Sequence, residues 1–183
     1  MQFFEKLKQK FFAKPPEDPL KKPAPTDIKR ELVLFKDAYR IGIIGIYSGM
    51  ESQEVLDKFR KYLEQLGYEC DVLMYIDEAF TDPKIYLSSF NNTEVIPGGQ
   101  PHSPKVDRFM MKKYDLLFNA HFSEAVPLRY ISKYTYARCR VAPYLDPMKD
   151  VADLLVPVQP GEELPKLLSK FCETLEIRPY VRK

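Results

Sequence analysis

The chain has 183 residues, and 45% of them are hydrophobic, which is enough for one α/β domain with a real core and for flanking segments. This apolar content excludes a wholly disordered chain. The formal net charge of +2 and the pI near 8.3 argue against a general nucleic-acid binder.

The first predicted element is an amphipathic N-terminal arm over residues 1–14. Helical spacing places Phe3, Leu7 and Phe11 on one face, with lysines beside it. This pattern is typical of a helix at a membrane surface, and it predicts weak contact with anionic lipid. Docking on the protein's own domain or on a partner subunit would use the same face. A Pro-rich linker, residues 15–27, follows the arm.

The folded domain is predicted over residues 28–176, before a short basic tail at 177–183. Its first residues fit two structures, a short helix capped by Asp27 or an edge strand at 32–35, and the sequence leaves both open.

A βαβ unit is the clearest part of the domain. Residues 41–47 form a β-branched run typical of a buried strand, and residues 69–76 form a second strand. Between them, Ser48 and Glu51 fit the capping box that starts helices, and Gly67 fits the glycine that ends them.

An irregular insertion, residues 77–105, follows the second strand and is rich in turn signals. Residues 85–87 and 93–96 are predicted to face each other as a hairpin. A short helix is predicted at 106–113.

Three more strands are predicted at 114–119, 139–142 and 153–158. A helix starting at Ser123 is predicted between the first and second of these strands, and a helix at 161–175 follows the third. Strands alternating with helices predict a doubly wound, mainly parallel five-stranded sheet of flavodoxin or Rossmann type, for which the order 2-1-3-4-5 is expected.

The candidate site follows from this fold. Ligands of open α/β sheets bind at the carboxyl ends of the strands, and free N–H groups at helix N-termini attract anions. The residues at those ends that make ligand-binding candidates are Ser48, Gly49, Asn119, His121 and Ser123. His121 is also a candidate general base, because imidazole titrates near neutral pH.

Structural roles compete with each of these functional ones. Ser48 and Ser123 fit helix caps, and a lone histidine at a strand end is often a hydrogen-bonded structural residue. Basic and aromatic residues are mixed at 129–140. This pattern favours tyrosines and the stems of Arg and Lys covering the edge of the core over a stacking surface for nucleic acid.

No metal and no cofactor is expected. The cysteines, Cys70, Cys139 and Cys172, are scattered, there are two histidines, and neither G-x-G-x-x-G nor a Walker lysine motif occurs. Unclustered cysteines, together with the lack of a signal peptide or membrane span, predict a cytoplasmic protein, with a peripheral position at the inner membrane surface if the arm binds lipid.

Strand residues 41–45 and 114–119, together with residues 127–131, resemble a family of uncharacterised proteins of about this size from Bacteroidota. The resemblance covers residues 28–175. It implies the α/β fold and a bacterial cytoplasm, and it transfers no site.

Two functions follow from these observations. The first is a non-catalytic binding or interaction module with a protein partner or a small anionic ligand. The alternative is a small transferase or hydrolase that acts on an anionic metabolite at the carboxyl ends of the strands.

Overall fold

The computed structural model describes residues 18–21, 25, 27–79 and 83–177. The predicted arm, most of the linker and nearly all of the tail lie outside these residues. No helix in the described ranges is both long enough and apolar enough to cross a bilayer.

The domain is built on a parallel sheet with helices on both faces. Its six strands are Arg40–Ile46 (β1), Glu69–Ile76 (β2), Ser89–Asn91 (β3), Tyr114–Ala120 (β4), Ala137–Pro143 (β5) and Leu154–Val156 (β6). The strand order is β3-β2-β1-β4-β5-β6 and every pair is parallel. The α-helices are Met50–Gln65 (α1), Pro104–Met111 (α2), Val126–Tyr134 (α3) and Leu164–Thr174 (α4).

Five of these strands occur in the expected order, since β2-β1-β4-β5-β6 is the predicted 2-1-3-4-5. The predicted count of five is wrong, because β3 adds a sixth strand at the edge beside β2. The predicted hairpin in the insertion is wrong as well. The side chain of Gln53 on α1 accepts the backbone N–H groups of Tyr86 (2.9 Å) and Leu87 (3.1 Å), so this segment is bound to a helix rather than to a strand.

Two apolar layers hold the sheet between its helices. Side chains of α1 and α4 pack on one face, around Phe118 of β4. Side chains of α2 and α3 pack on the other face, around Leu117. Adjacent residues of a buried strand serve opposite layers, because successive side chains point to opposite faces.

The segment before β1 forms neither the short helix nor the edge strand that the sequence allowed. Residues 29–34 have no regular structure, and a 3₁₀ turn, Phe35–Asp37, precedes β1. The Glu31 N–H donates to the Arg138 carbonyl oxygen at 3.1 Å, which ties this segment to the amino end of β5.

Helix α1 ends as its sequence predicts. Gly67 has φ +96°, and its N–H donates to the Glu64 carbonyl oxygen at 2.9 Å. The Tyr68 N–H donates to the Leu63 carbonyl oxygen at 3.1 Å. These two bonds form a Schellman motif, whose left-handed position favours glycine.

Replacing Gly67 by valine should therefore destabilise the domain. A β-branched side chain at positive φ is strained, so we expect Gly67→Val to lower the free energy of unfolding by about 1–2 kcal/mol in urea denaturation. A Gly67→Val protein as stable as the parent would contradict the role of Gly67 as a helix terminator.

Candidate functional site

A pocket opens at the carboxyl ends of β1 and β4, and we call it the switch-point pocket. It has a volume of about 360 Å³ and lies between the N-termini of α1 and α4. Its wall consists of Ile46, Ser48, Glu51, Ser52, Val55, Ala120, His121, Phe122, Glu162, Glu163, Leu164 and Pro165.

The strand order explains why a crevice lies here. The connection after β1 runs through α1 to β2 on one side, and the connection after β4 runs through α3 to β5 on the other. The two connections therefore diverge between β1 and β4, and the gap that they leave is the usual ligand position in open α/β sheets.

His121 is the most unusual residue of the wall. It is only 2% exposed, and neither ring nitrogen has a hydrogen-bond partner of good geometry among the described residues. Burial lowers its pKa to about 4, and the nearby Ser123 backbone offsets only part of that effect. The imidazole is therefore neutral at pH 7, with one donor and one acceptor nitrogen.

The turn before α1 forms the second side of the pocket. Its predicted capping box is wrong: the helix starts at Met50, Gly49 is the N-cap, and no side chain caps it. The Ser52 hydroxyl accepts the Ser48 N–H at 3.0 Å and donates to the Gly49 carbonyl oxygen at 2.7 Å. This closed turn fixes the backbone from within α1 and leaves the exposed Ser48 hydroxyl free to face a ligand.

Gly49 permits the sharp entry into the helix. Its φ of +124° disfavours any other residue, and a Cβ placed there would meet no atom within 4 Å. The space beside Gly49 is therefore open to solvent or to a ligand.

Carboxylates form the third side. Glu162 lies 2.7 Å from the Lys170 ammonium and 3.6 Å from that of Lys166, and the hydrogen bond from Lys170 holds its pKa below the usual range. Glu51 and Glu163 have no ion-pair partner among the described residues. No lysine or arginine belongs to the described wall.

Of the five predicted site residues, Ser48 and His121 line this pocket, and Gly49 lies directly beside Ser48. Asn119 and Ser123 do not line it. The buried Asn119 amide donates to the Val141 carbonyl oxygen of β5 at 3.0 Å, and its Oδ1 has no hydrogen-bond partner within the part of the chain that the structure describes. The Ser123 hydroxyl accepts the Ala125 N–H at 3.1 Å, but α3 starts at Val126 with Ala125 as its N-cap, so the predicted cap at Ser123 is wrong.

The wall also contains residues that the sequence did not single out. Phe122 is 36% exposed beside His121, and residues 162–165 come from the loop before α4. The available signal for Phe122 was an aromatic residue two positions after the end of β4. No local signal marks residues 162–165, because their position depends on α4 packing on the same face as α1.

Within the described ranges, no group of three or more histidine, cysteine, aspartate or glutamate side chains is placed to hold a metal ion. The described cysteines are free thiols. Burial raises the pKa of Cys70 to about 12 and that of Cys172 to about 11, so both remain protonated at neutral pH.

Comparison with known proteins identifies a family. No curated protein matches the chain. A family model described as a family of unknown function (DUF6913) matches residues 8–177. The match agrees with the resemblance to an uncharacterised family, and it covers the whole sheet and the switch-point pocket.

Proposed function

The chain belongs to this family of unknown function, DUF6913, so we propose a function from its geometry: it is a non-catalytic binding protein whose small-molecule site is the switch-point pocket. The observation that carries the proposal is the buried His121 in the pocket wall, whose ring nitrogens have no hydrogen-bond partner of good geometry among the described residues. The pocket also occupies the position at which open α/β sheets bind ligands.

A bound ligand would supply hydrogen bonds that the buried His121 ring lacks in the free protein. A buried polar group without a hydrogen bond costs roughly 1–3 kcal/mol, and most such groups in folded proteins are paired. Neither ring nitrogen of His121, next to the cavity, has a hydrogen-bond partner of good geometry among the described residues, although the Ser123 backbone lies near the ring. A bound molecule that donates to one nitrogen and accepts from the other removes this penalty.

Binding fits this geometry better than transferase or hydrolase chemistry on an anionic metabolite. A nucleophile needs an activating base within hydrogen-bond reach, and no such bond joins the Ser48 hydroxyl to the His121 ring. With its pKa near 4, His121 is also a weak base at pH 7, far from the value that suits proton transfer. Recognition by the neutral imidazole needs no proton transfer. A bacterial, cytoplasmic setting is part of the proposal, supported by the free thiols and the resemblance to Bacteroidota proteins.

Fragment screening by protein NMR tests this proposal. We expect fragments with a polar edge and an apolar body to shift the backbone amides of Gly49, Ser52 and His121. Phe122→Ala should weaken these fragments about three- to tenfold, because an aromatic contact contributes roughly 0.5–1.5 kcal/mol.

The matched control is Tyr144→Ala, which removes an exposed aromatic residue just after the carboxyl end of β5. Tyr144 does not line the pocket, so this variant should bind the fragments as the parent does. Fragments that shift other surfaces and never the pocket amides would overturn the proposal.

A further inference from the structure

The charge of the pocket wall restricts the ligand class. Glu51 and Glu163 contribute two unpaired carboxylates, whereas Glu162 is neutralised by Lys170. Each helix N-terminus is equivalent to about half a positive charge, so α1 and α4 together supply about one. The pocket therefore retains an excess of negative charge, and it lacks the cationic side chain that would bind a phosphate or carboxylate directly.

The hydrogen-bond donors of the wall are also limited. Pro165 has no N–H in the first turn of α4, and the Ser48 N–H is already bound to Ser52. These two backbone positions therefore offer no N–H to an anion, in contrast to the glycine-rich helix N-termini that bind phosphates.

The apolar part of the wall favours a ligand with a flat, apolar portion. Ile46, Val55 and Leu164 are half-buried around the pocket, and the exposed ring of Phe122 offers a stacking surface. Aromatic rings pair in offset-stacked or edge-to-face arrangements, so an aromatic ligand body fits this side.

Resting on the proposed function, we infer that the switch-point pocket selects molecules that carry an ammonium group on an aromatic body. Glu51 and Glu163 attract the cation, Phe122 packs against the ring, and His121 hydrogen-bonds a neutral polar group. The small anionic ligand expected from strand-end serines and helix N-termini is disfavoured by the same carboxylates.

Three phenols with one ring and different charges test the inference: tyramine is cationic, 4-ethylphenol is neutral and 4-hydroxyphenylacetate is anionic. NMR titration should find tyramine about fivefold tighter than 4-ethylphenol and at least about tenfold tighter than 4-hydroxyphenylacetate, as expected for exposed ion pairs. The preference should shrink at high salt.

The double variant Glu51→Gln, Glu163→Gln should remove the preference for tyramine. The matched control is Glu54→Gln, Glu173→Gln, which removes two exposed carboxylates from the same helices outside the pocket and should keep the preference. Pocket shifts that are equal for the three phenols, or largest for 4-hydroxyphenylacetate or inorganic phosphate, would overturn the inference and leave the binding function standing. A pocket that none of these probes shifts would overturn both.

Discussion

Replacing Phe118 by alanine should lower the free energy of unfolding by about 3–5 kcal/mol, the usual cost of truncating a fully buried phenylalanine. The Phe118 ring is 0% exposed and stacks on Phe171, with ring centroids 5.2 Å apart. It also contacts Phe35 at 5.9 Å and Phe59 at 6.1 Å. Because these neighbours come from α4, α1 and the segment before β1, the cavity cannot be closed by moving one element. Guanidinium denaturation followed by circular dichroism measures the loss.

Phe122→Ala is the matched control for this measurement. It deletes the same side chain four residues later, where the residue is 36% exposed, so the free energy of unfolding should fall by only about 1–2 kcal/mol. The two phenylalanines should thus separate core packing from ligand binding. A loss below about 1 kcal/mol for Phe118→Ala would contradict its central position in the core.

Much of the fold could be predicted from the sequence because its signals are local. The β-branched run before Ser48 and the glycine at position 67 each encode an element through nearby residues, and the alternation of strands and helices then implies the sheet. Strand β3 could not be found in this way. It is only three residues long, Ser89–Asn91, and its position depends on pairing with β2 and on Gln53 of α1 binding the segment before it.

The candidate site was predictable in position but only in part in composition. The carboxyl ends of the strands follow from topology, and Ser48 and His121 both line the pocket that opens there. Asn119 is kept out of the pocket wall by its hydrogen bond to the Val141 carbonyl oxygen in another strand. Residues 162–165 reach the wall because of the face of the sheet on which α4 packs. Neither relation is encoded in nearby residues, so the acidic side of the pocket emerged only from the assembled fold.

His121 should make the stability of the domain depend on pH. Its pKa is about 4 in the folded protein, below the ordinary value of 6.5, so the unfolded chain binds more protons between these two pH values. The free energy of unfolding should therefore fall as the pH decreases from about 6.5 to about 4, by roughly 3 kcal/mol in total, and His121 should contribute no pH dependence above that window. Denaturation at several pH values measures the slope.

The variant His121→Phe isolates this contribution, because it keeps an aromatic ring and removes the titrating group. Its slope between pH 4 and pH 6.5 should be smaller than that of the parent. An unaltered slope in His121→Phe would show that the histidine is not held neutral by burial.

The same variant connects stability to function at pH 7. Since the ring nitrogens of His121 have no partner of good geometry among the described residues, replacing them by carbon should not destabilise the domain and should stabilise it by up to about 1–3 kcal/mol. Pocket fragments should nevertheless bind less tightly, because the imidazole is the group that we propose meets their polar edge. If His121→Phe raises the free energy of unfolding and weakens fragment binding, His121 serves ligand binding and lowers the stability of the fold. Such opposition is expected where stability and function compete.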